Sequence, residues 1–183
     1  MRLKTGLIAG GAALSLPLII GVYQVWPRSE GDGWQPATEV APPGLMTKIA
    51  ADNLAPEFEG ELGHMKIMRP WQPGQTTPIY LIDSRIADLS TQNNPLCGAL
   101  GCAFFGYVPL EDEGFQSVLS LYLDPHLPPE ISLIETGDTL QNNMPALIIH
   151  QLEDEQLLRM RLGLNDGRYE VVEAQYLPMD TDD

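Results

Sequence analysis

Cys97 and Cys102 are the only cysteines in this chain, and their spacing defines the chemistry open to them. They frame the turn Cys97-Gly98-Ala99-Leu100-Gly101-Cys102. Its two glycines allow the positive φ angles that a tight ring needs. In an oxidising compartment the pair closes a small covalent loop, worth about 2 kcal/mol in the chain-entropy account. Redox exchange and metal binding are the alternatives. A thioredoxin-type motif has two residues between its cysteines, and this frame has four. A structural zinc site needs about four ligands, and His64, His126 and His150 stand at no finger-like spacing from the pair. The reading is a structural disulfide.

The acidic residues offer a second chemistry. Asp83 follows an apolar run, Asp88 lies shortly after it, and Glu111-Asp112-Glu113 and Glu153-Asp154-Glu155 form two triplets. Two carboxylates flanking a sugar linkage could hydrolyse it, and acidic triplets could hold calcium. The plainer reading of Asp83 is a turn cap or a partner for Arg85. The plainer reading of the triplets is a pair of solvated turns. His150 closes an apolar run and reads as a hydrogen-bonded or solvated histidine rather than a ligand. No phosphate-binding loop, nucleophile elbow, zinc-protease helix, EF-hand or dinucleotide fingerprint is present. No catalytic residue, metal or cofactor is therefore assigned; Asp83, Glu111, Asp112, Glu113 and His150 remain surface candidates.

The elements that must position these residues read mostly as strands. Leu45, Ile49, Ala50 and Leu54 recur at helical spacing between Pro43 and Pro56, which predicts an amphipathic helix over 44–55. His64–Arg69 alternates in part, and Trp71 is expected to plug the core or an edge. Strands are expected over 79–82, 102–108, 115–123, 131–135, 145–150, 157–164 and 168–174. Leu158, Met160, Leu162 and Leu164 fall on one face and Arg159 and Arg161 on the other. Asn165-Asp166-Gly167 is a hairpin signal. Tyr176 to Asp183 reads as a frayed acidic tail. Two groups of three strands parallel each other. Each opens on a proline and an apolar run (Pro78, Pro145) and enters its third strand through Gly-aromatic or Gly-x-aromatic residues (Gly114-Phe115, Gly167-Arg168-Tyr169). This predicts a duplicated meander in a twisted sheet or small sandwich.

The N-terminus bears on compartment. Arg2 and Lys4 precede an uncharged run from Gly6 to Trp26, long enough to cross a bilayer as a helix. No small-x-small cleavage site ends it, and Tyr23 and Trp26 suit an interface belt. The segment reads as an uncleaved signal anchor with its basic end in the cytoplasm. Gly6-x-x-x-Gly10 could pack a second helix, a weak pointer to a homodimer. The whole chain has 25 acids and 10 bases. Without Arg2 and Lys4 the exported part keeps 25 acids against 8 bases, a formal charge of −17. Between Arg85 and Arg159 there is no Lys or Arg. Nucleic-acid binding needs bases to displace counterions and is excluded as a role; docking on anionic lipid is disfavoured for the same reason.

The Cys97–Cys102 frame, the apolar strand after it and the later Asn165-Asp166-Gly167-Arg168-Tyr169-Glu170 segment resemble a pattern in uncharacterised exported bacterial proteins, with a cyanobacterial flavour. The resemblance covers about residues 78 to 175. It implies export and carries no activity. Many of those proteins place an Asp-rich loop before the first strand; here that position reads Pro73-Gly74-Gln75-Thr76-Thr77, so no calcium loop is carried over.

Together these readings give an α+β fold, mostly antiparallel β, with two three-stranded meanders and one N-terminal amphipathic helix, preceded by a transmembrane helix. The expected organisation is a cytoplasmic start at 1–5, a signal anchor at 6–26, a linker at 27–43, a β-rich domain at 44–177 and an acidic tail at 178–183. The bulk would lie in the periplasm, the thylakoid lumen or the cell exterior. The expected function is a non-enzymatic binding or assembly module with a protein partner at the membrane. The alternatives are an envelope glycan hydrolase and an inhibitor of a cationic enzyme such as lysozyme.

Overall fold

The computed structural model describes residues 33–56, 62–85, 94–112, 114–154 and 156–178. The expected anchor at 6–26, together with Asp88, Glu113, Glu155 and residues 179–183, lies outside the described residues. Among the described residues no helix is long and apolar enough to cross a membrane.

The fold is mostly antiparallel β, in two sheets. The first contains β1 (Gln35–Pro36), β2 (Lys66–Met68), β3 (Tyr80–Asp83), β4 (Cys97–Gly98), β5 (Gly101–Pro109) and β6 (Phe115–Leu123). β5 pairs β3 and β4 along one edge and β6 along the other. The second sheet runs in the order β10 (Arg168–Leu177), β9 (Gln156–Asn165), β8 (Met144–Glu153), β7 (Ile134–Gln141). Both expected meanders are present as pairings, β3–β5–β6 and β8–β9–β10.

The two-residue period of a strand divides the first sheet's side chains between two cores. Leu81, Cys102, Phe104, Val118 and Leu123 meet Ile134, Leu147, Ile149, Leu162 and Tyr169 of the second sheet. Tyr80, Ile82, Ala103, Phe105 and Tyr107 face the other way, toward α1 (Ala37–Val40) and α2 (Leu45–Asn53). α2 starts after Gly44, whose φ of +82° suits glycine, and buries Leu45 and Ile49 completely. Each such burial contributes about 1.5–3 kcal/mol. On its exposed side Lys48 pairs with Asp52 at 2.7 Å, one turn apart.

Several expectations give way. Residues 33–40 lie in the stretch read as a linker, yet Gln35 and Pro36 pair with Ile67 and Lys66, and buried Ala37 donates its N–H to the Met65 carbonyl. Pro36 is tolerated because β1 is an edge strand. The segment is too short to show a hydrophobic period. Trp71 is substantially exposed; Trp34 is the tryptophan that packs, edge-on to Phe104. The strand expected at 131–135 begins at Ile134 and runs to Gln141. Asn142 and Asn143 both take positive φ (53° and 60°) and turn the chain straight into β8. The last strand, expected over 168–174, runs on through Tyr176 and Leu177 to complete β10.

One polar cluster ties α2 to the sheet. The buried Tyr107 hydroxyl donates to Asp52 Oδ2 and accepts from Asn53 Nδ2, each at 3.0 Å. Burial, chiefly, pushes its phenol up to about 12. Burial also raises Tyr169, whose hydroxyl donates to the Pro145 carbonyl at 2.7 Å. For a phenol whose folded pKa is raised, the stabilisation is complete below its unfolded value, near 10, and is lost as pH rises through the folded value. Tyr107→Phe is expected to lower urea-unfolding stability at neutral pH by about 1 kcal/mol. It should also reduce the fall in stability between about pH 10 and 12 without abolishing it, since Tyr169 remains. Unfolding curves of both proteins across that range check this.

Candidate functional site

The strand directions bring one set of features to one end of the sandwich. The carboxyl ends of β3, β6, β8 and β10 meet there with the amino ends of β5, β7 and β9. At this end Cys97 and Cys102 form a disulfide, and they are direct cross-strand partners with Cα atoms 4.0 Å apart. Gly101 holds the turn with φ of +99°, and a Cβ there would sit 2.1 Å from the Leu123 carbonyl oxygen. The turn therefore lies directly on the end of β6. Leu100 stands at its tip, 79 % exposed.

The next layer is the Pro-rich connection from β6 to β7. Asp124 accepts from the His126 backbone N–H at 3.0 Å and from its ring, an Asx turn that holds its carboxyl below the usual carboxylate range. Gln151 of β8 clamps the same residue. Its Oε1 accepts from the Asp124 N–H at 3.2 Å and its Nε2 donates to the Asp124 carbonyl at 3.1 Å. Beyond Gln151, Tyr176 donates to Glu153 Oε2 at 2.8 Å, and that carboxylate raises the phenol above its usual range. Tyr122 (54 % exposed), Leu152 (38 %) and Tyr176 (54 %) are further exposed large apolar side chains near the strand ends that meet here, Tyr122 on the helix-side face of the first sheet and Leu152 on the outer face of the second.

The residues singled out in the sequence divide between the two ends. Asp83 closes β3, buried, with both oxygens accepting from Arg85; Oδ1 takes the backbone N–H and Nε at 2.9 Å each. The Arg85 guanidinium lies 5.5 Å above the Phe104 ring. Next to them Ser84 is fully buried and its Oγ has no hydrogen-bond partner among the described residues. The Asn94 amide donates to the Ser84 carbonyl at 2.9 Å, closing the base of the disulfide turn. His150 is buried with Nδ1 2.8 Å from the Ser132 carbonyl, so the ring fastens the start of β7. Glu111 and Asp112 are exposed in the β5–β6 turn at the opposite end. Asp83 pairs with Phe104, and Glu111 lies seven residues further along mostly extended chain, roughly 20 Å away. These carboxylates do not form a pair. Among the described residues no cluster of three His, Cys, Asp or Glu could hold a metal ion.

The Asp124–His126 turn, the Gln151 clamp and the exposed Leu100 and Tyr122 were not identified as a site. The Asp124-Pro125-His126 sequence carried a turn signal, but a glutamine reaching back across the sheet leaves none. No protein-family model matches this chain, and neither a curated protein nor a solved structure does.

Two substitutions separate backbone from disulfide at this end. Cys97→Ala with Cys102→Ala is expected to cost about 2 kcal/mol in urea unfolding. Gly101→Ala is expected to cost more than about 2 kcal/mol with the disulfide still formed, because the methyl meets backbone and the φ is unsuited to alanine. Urea curves with a thiol count on each variant check the order.

Proposed function

We propose that the chain is a membrane-anchored, extracytoplasmic binding or assembly module that docks a basic protein partner on its disulfide-pinned end. The reading is carried by one observation: Leu100, Tyr122 and Leu152 are exposed apolar side chains on backbone fixed by the disulfide, the Asx turn and Gln151. Exposed apolar groups on rigid backbone lose little entropy when a partner covers them, which favours a docking role. The rim supports the partner's charge. From residue 86 to residue 158 the chain has acids and no Lys or Arg. Arg85 at this end is already held by Asp83. A partner with an apolar centre and a basic rim is complementary, and its encounter would be steered by the negative field.

The cytoplasmic start, the anchor at 6–26 and the resemblance to exported bacterial proteins belong to the same proposal. A disulfide persists in an oxidising compartment, which agrees with export. The resemblance adds no activity, so the proposal rests on surface chemistry.

The test is capture on full-length protein in detergent-solubilised membranes, repeated with Leu100→Asp/Tyr122→Asp. A partner held by wild type, lost from the variant and released by added salt is the expected result. Recovery of the bait alone, or equal capture by the variant, overturns the reading. Thiol labelling of intact cells checks the compartment independently: Cys97 and Cys102 are expected to label only after reduction.

A further inference from the structure

The second sheet ends in a long edge that the first sheet does not cover. β10 pairs with β9 over its whole length, and among the described residues its other edge has no strand partner. The β9–β10 turn approaches β6, where Gly167 faces the Gln116 side chain. Tyr169 is the last residue of β10 to be buried; every residue from Glu170 to Tyr176 is exposed.

The register assigns each of these residues to a face. Val171, Ala174 and Tyr176 lie opposite Leu162, Met160 and Leu158; Leu162 and Met160 point between the sheets, and the strand's alternation puts Leu158 on the same face. Val171 and Tyr176 are nonetheless 52 % and 54 % exposed. Glu170, Glu173 and Gln175 lie on the outer face, where Glu173 pairs with Arg161 at 3.1 Å. Val172 sits at the register shift between Val171 and Glu173 and is also exposed. Soluble proteins commonly blunt such an edge with Lys, Pro or brevity. β10 has ten residues, no Lys and no Pro. Its bulge and its charged residues Arg168, Glu170 and Glu173 blunt it, and Val172 stays uncovered.

We propose that the free edge of β10 receives an extended segment of the partner in which apolar residues alternate with Lys or Arg, adding a fifth strand to the second sheet. The proposal deepens the binding-module reading and rests on it. Strand addition supplies main-chain hydrogen bonds, and alternate side chains supply selectivity. Apolar residues of the segment lie against Val171, Ala174 and Tyr176. Basic residues fall on the outer face beside Glu170, where opposite charges across strands are favourable. The outer face here mixes Arg159, Arg161 and Arg168 with Glu170 and Glu173, but the chain as a whole has 25 acids against 10 bases, and that overall charge favours a basic segment over a second copy of this chain.

The test is amide hydrogen exchange on the full-length protein in detergent micelles, with a synthetic ten-residue peptide alternating Lys and Val as the probe. At about ten times its Kd, exchange of the outward-pointing β10 amides is expected to slow about tenfold, and the effect should weaken with salt. A peptide alternating Glu and Val should give no protection. Val171→Lys/Ala174→Lys, changes at exposed positions, should abolish protection, whereas Leu100→Asp should leave it intact. Equal protection by the Glu peptide, or no β10 protection at millimolar Lys peptide, overturns the proposal. Protection that rises with protein concentration without peptide overturns it in favour of a homodimer. If the peptide fails while the membrane partner is still captured through Leu100 and Tyr122, this inference falls and the binding reading stands. If capture fails as well, both fall.

Discussion

The structure depends on β5 being buried on both faces. Its alternation sends Cys102 and Phe104 into the core between the sheets and Ala103, Phe105 and Tyr107 into the core beneath the helices. A strand with two apolar faces must be central, and β5 accordingly pairs β3 and β4 on one side and β6 on the other. In mid-strand the sequence has Gly106, where a Cβ would come within 2.8 Å of the Leu119 Cβ. The same strand begins at the disulfide and carries the Tyr107 hydroxyl that holds α2. The candidate end and the helical layer are thus fixed by one segment of nine residues.

This explains why a disulfide belongs at the start of β5. Beyond Cys102 the strand is held by ladders on both edges; before Gly101 the chain turns back and only the two-residue β4 accompanies it. A hairpin so short has few hydrogen bonds with which to offset its backbone entropy. The covalent link removes part of that entropy from the unfolded chain, and Asn94 fastens the base through the Leu96 N–H and the Ser84 carbonyl. The Leu100 tip is thereby held in place while its side chain faces solvent.

The long strands were legible in the sequence because each was written twice, once as alternation and once as punctuation. Leu158, Met160, Leu162 and Leu164 alternate with arginines, and Asn165-Asp166-Gly167 ends the run; β9 and its turn fall there. β7 was harder because Thr136 to Gln141 has little apolar pattern, and its register with β8 slips between Thr136 and Leu140. Its strand state comes from pairing with β8, which sequence period does not encode. Of the site, Cys97 and Cys102 were legible as a pair and Asp83 as the partner of Arg85. The Gln151 clamp was not, since a glutamine twenty-seven residues from its partner leaves no local trace.

Charge and exposure then meet on the same features. In an acidic domain, uncovered apolar surface is shielded from self-association because copies repel one another. Leu100, Tyr122 and the β10 row stay open in a domain whose overall charge favours a surface of opposite sign as the one that approaches them. Under the proposed binding role, the negative charge would oppose copies of the chain and the apolar groups would favour a partner of opposite charge. Neither requires a reactive group, and the carboxylates nearest the site, Asp83 and Asp124, are both occupied in holding backbone and side chains in place.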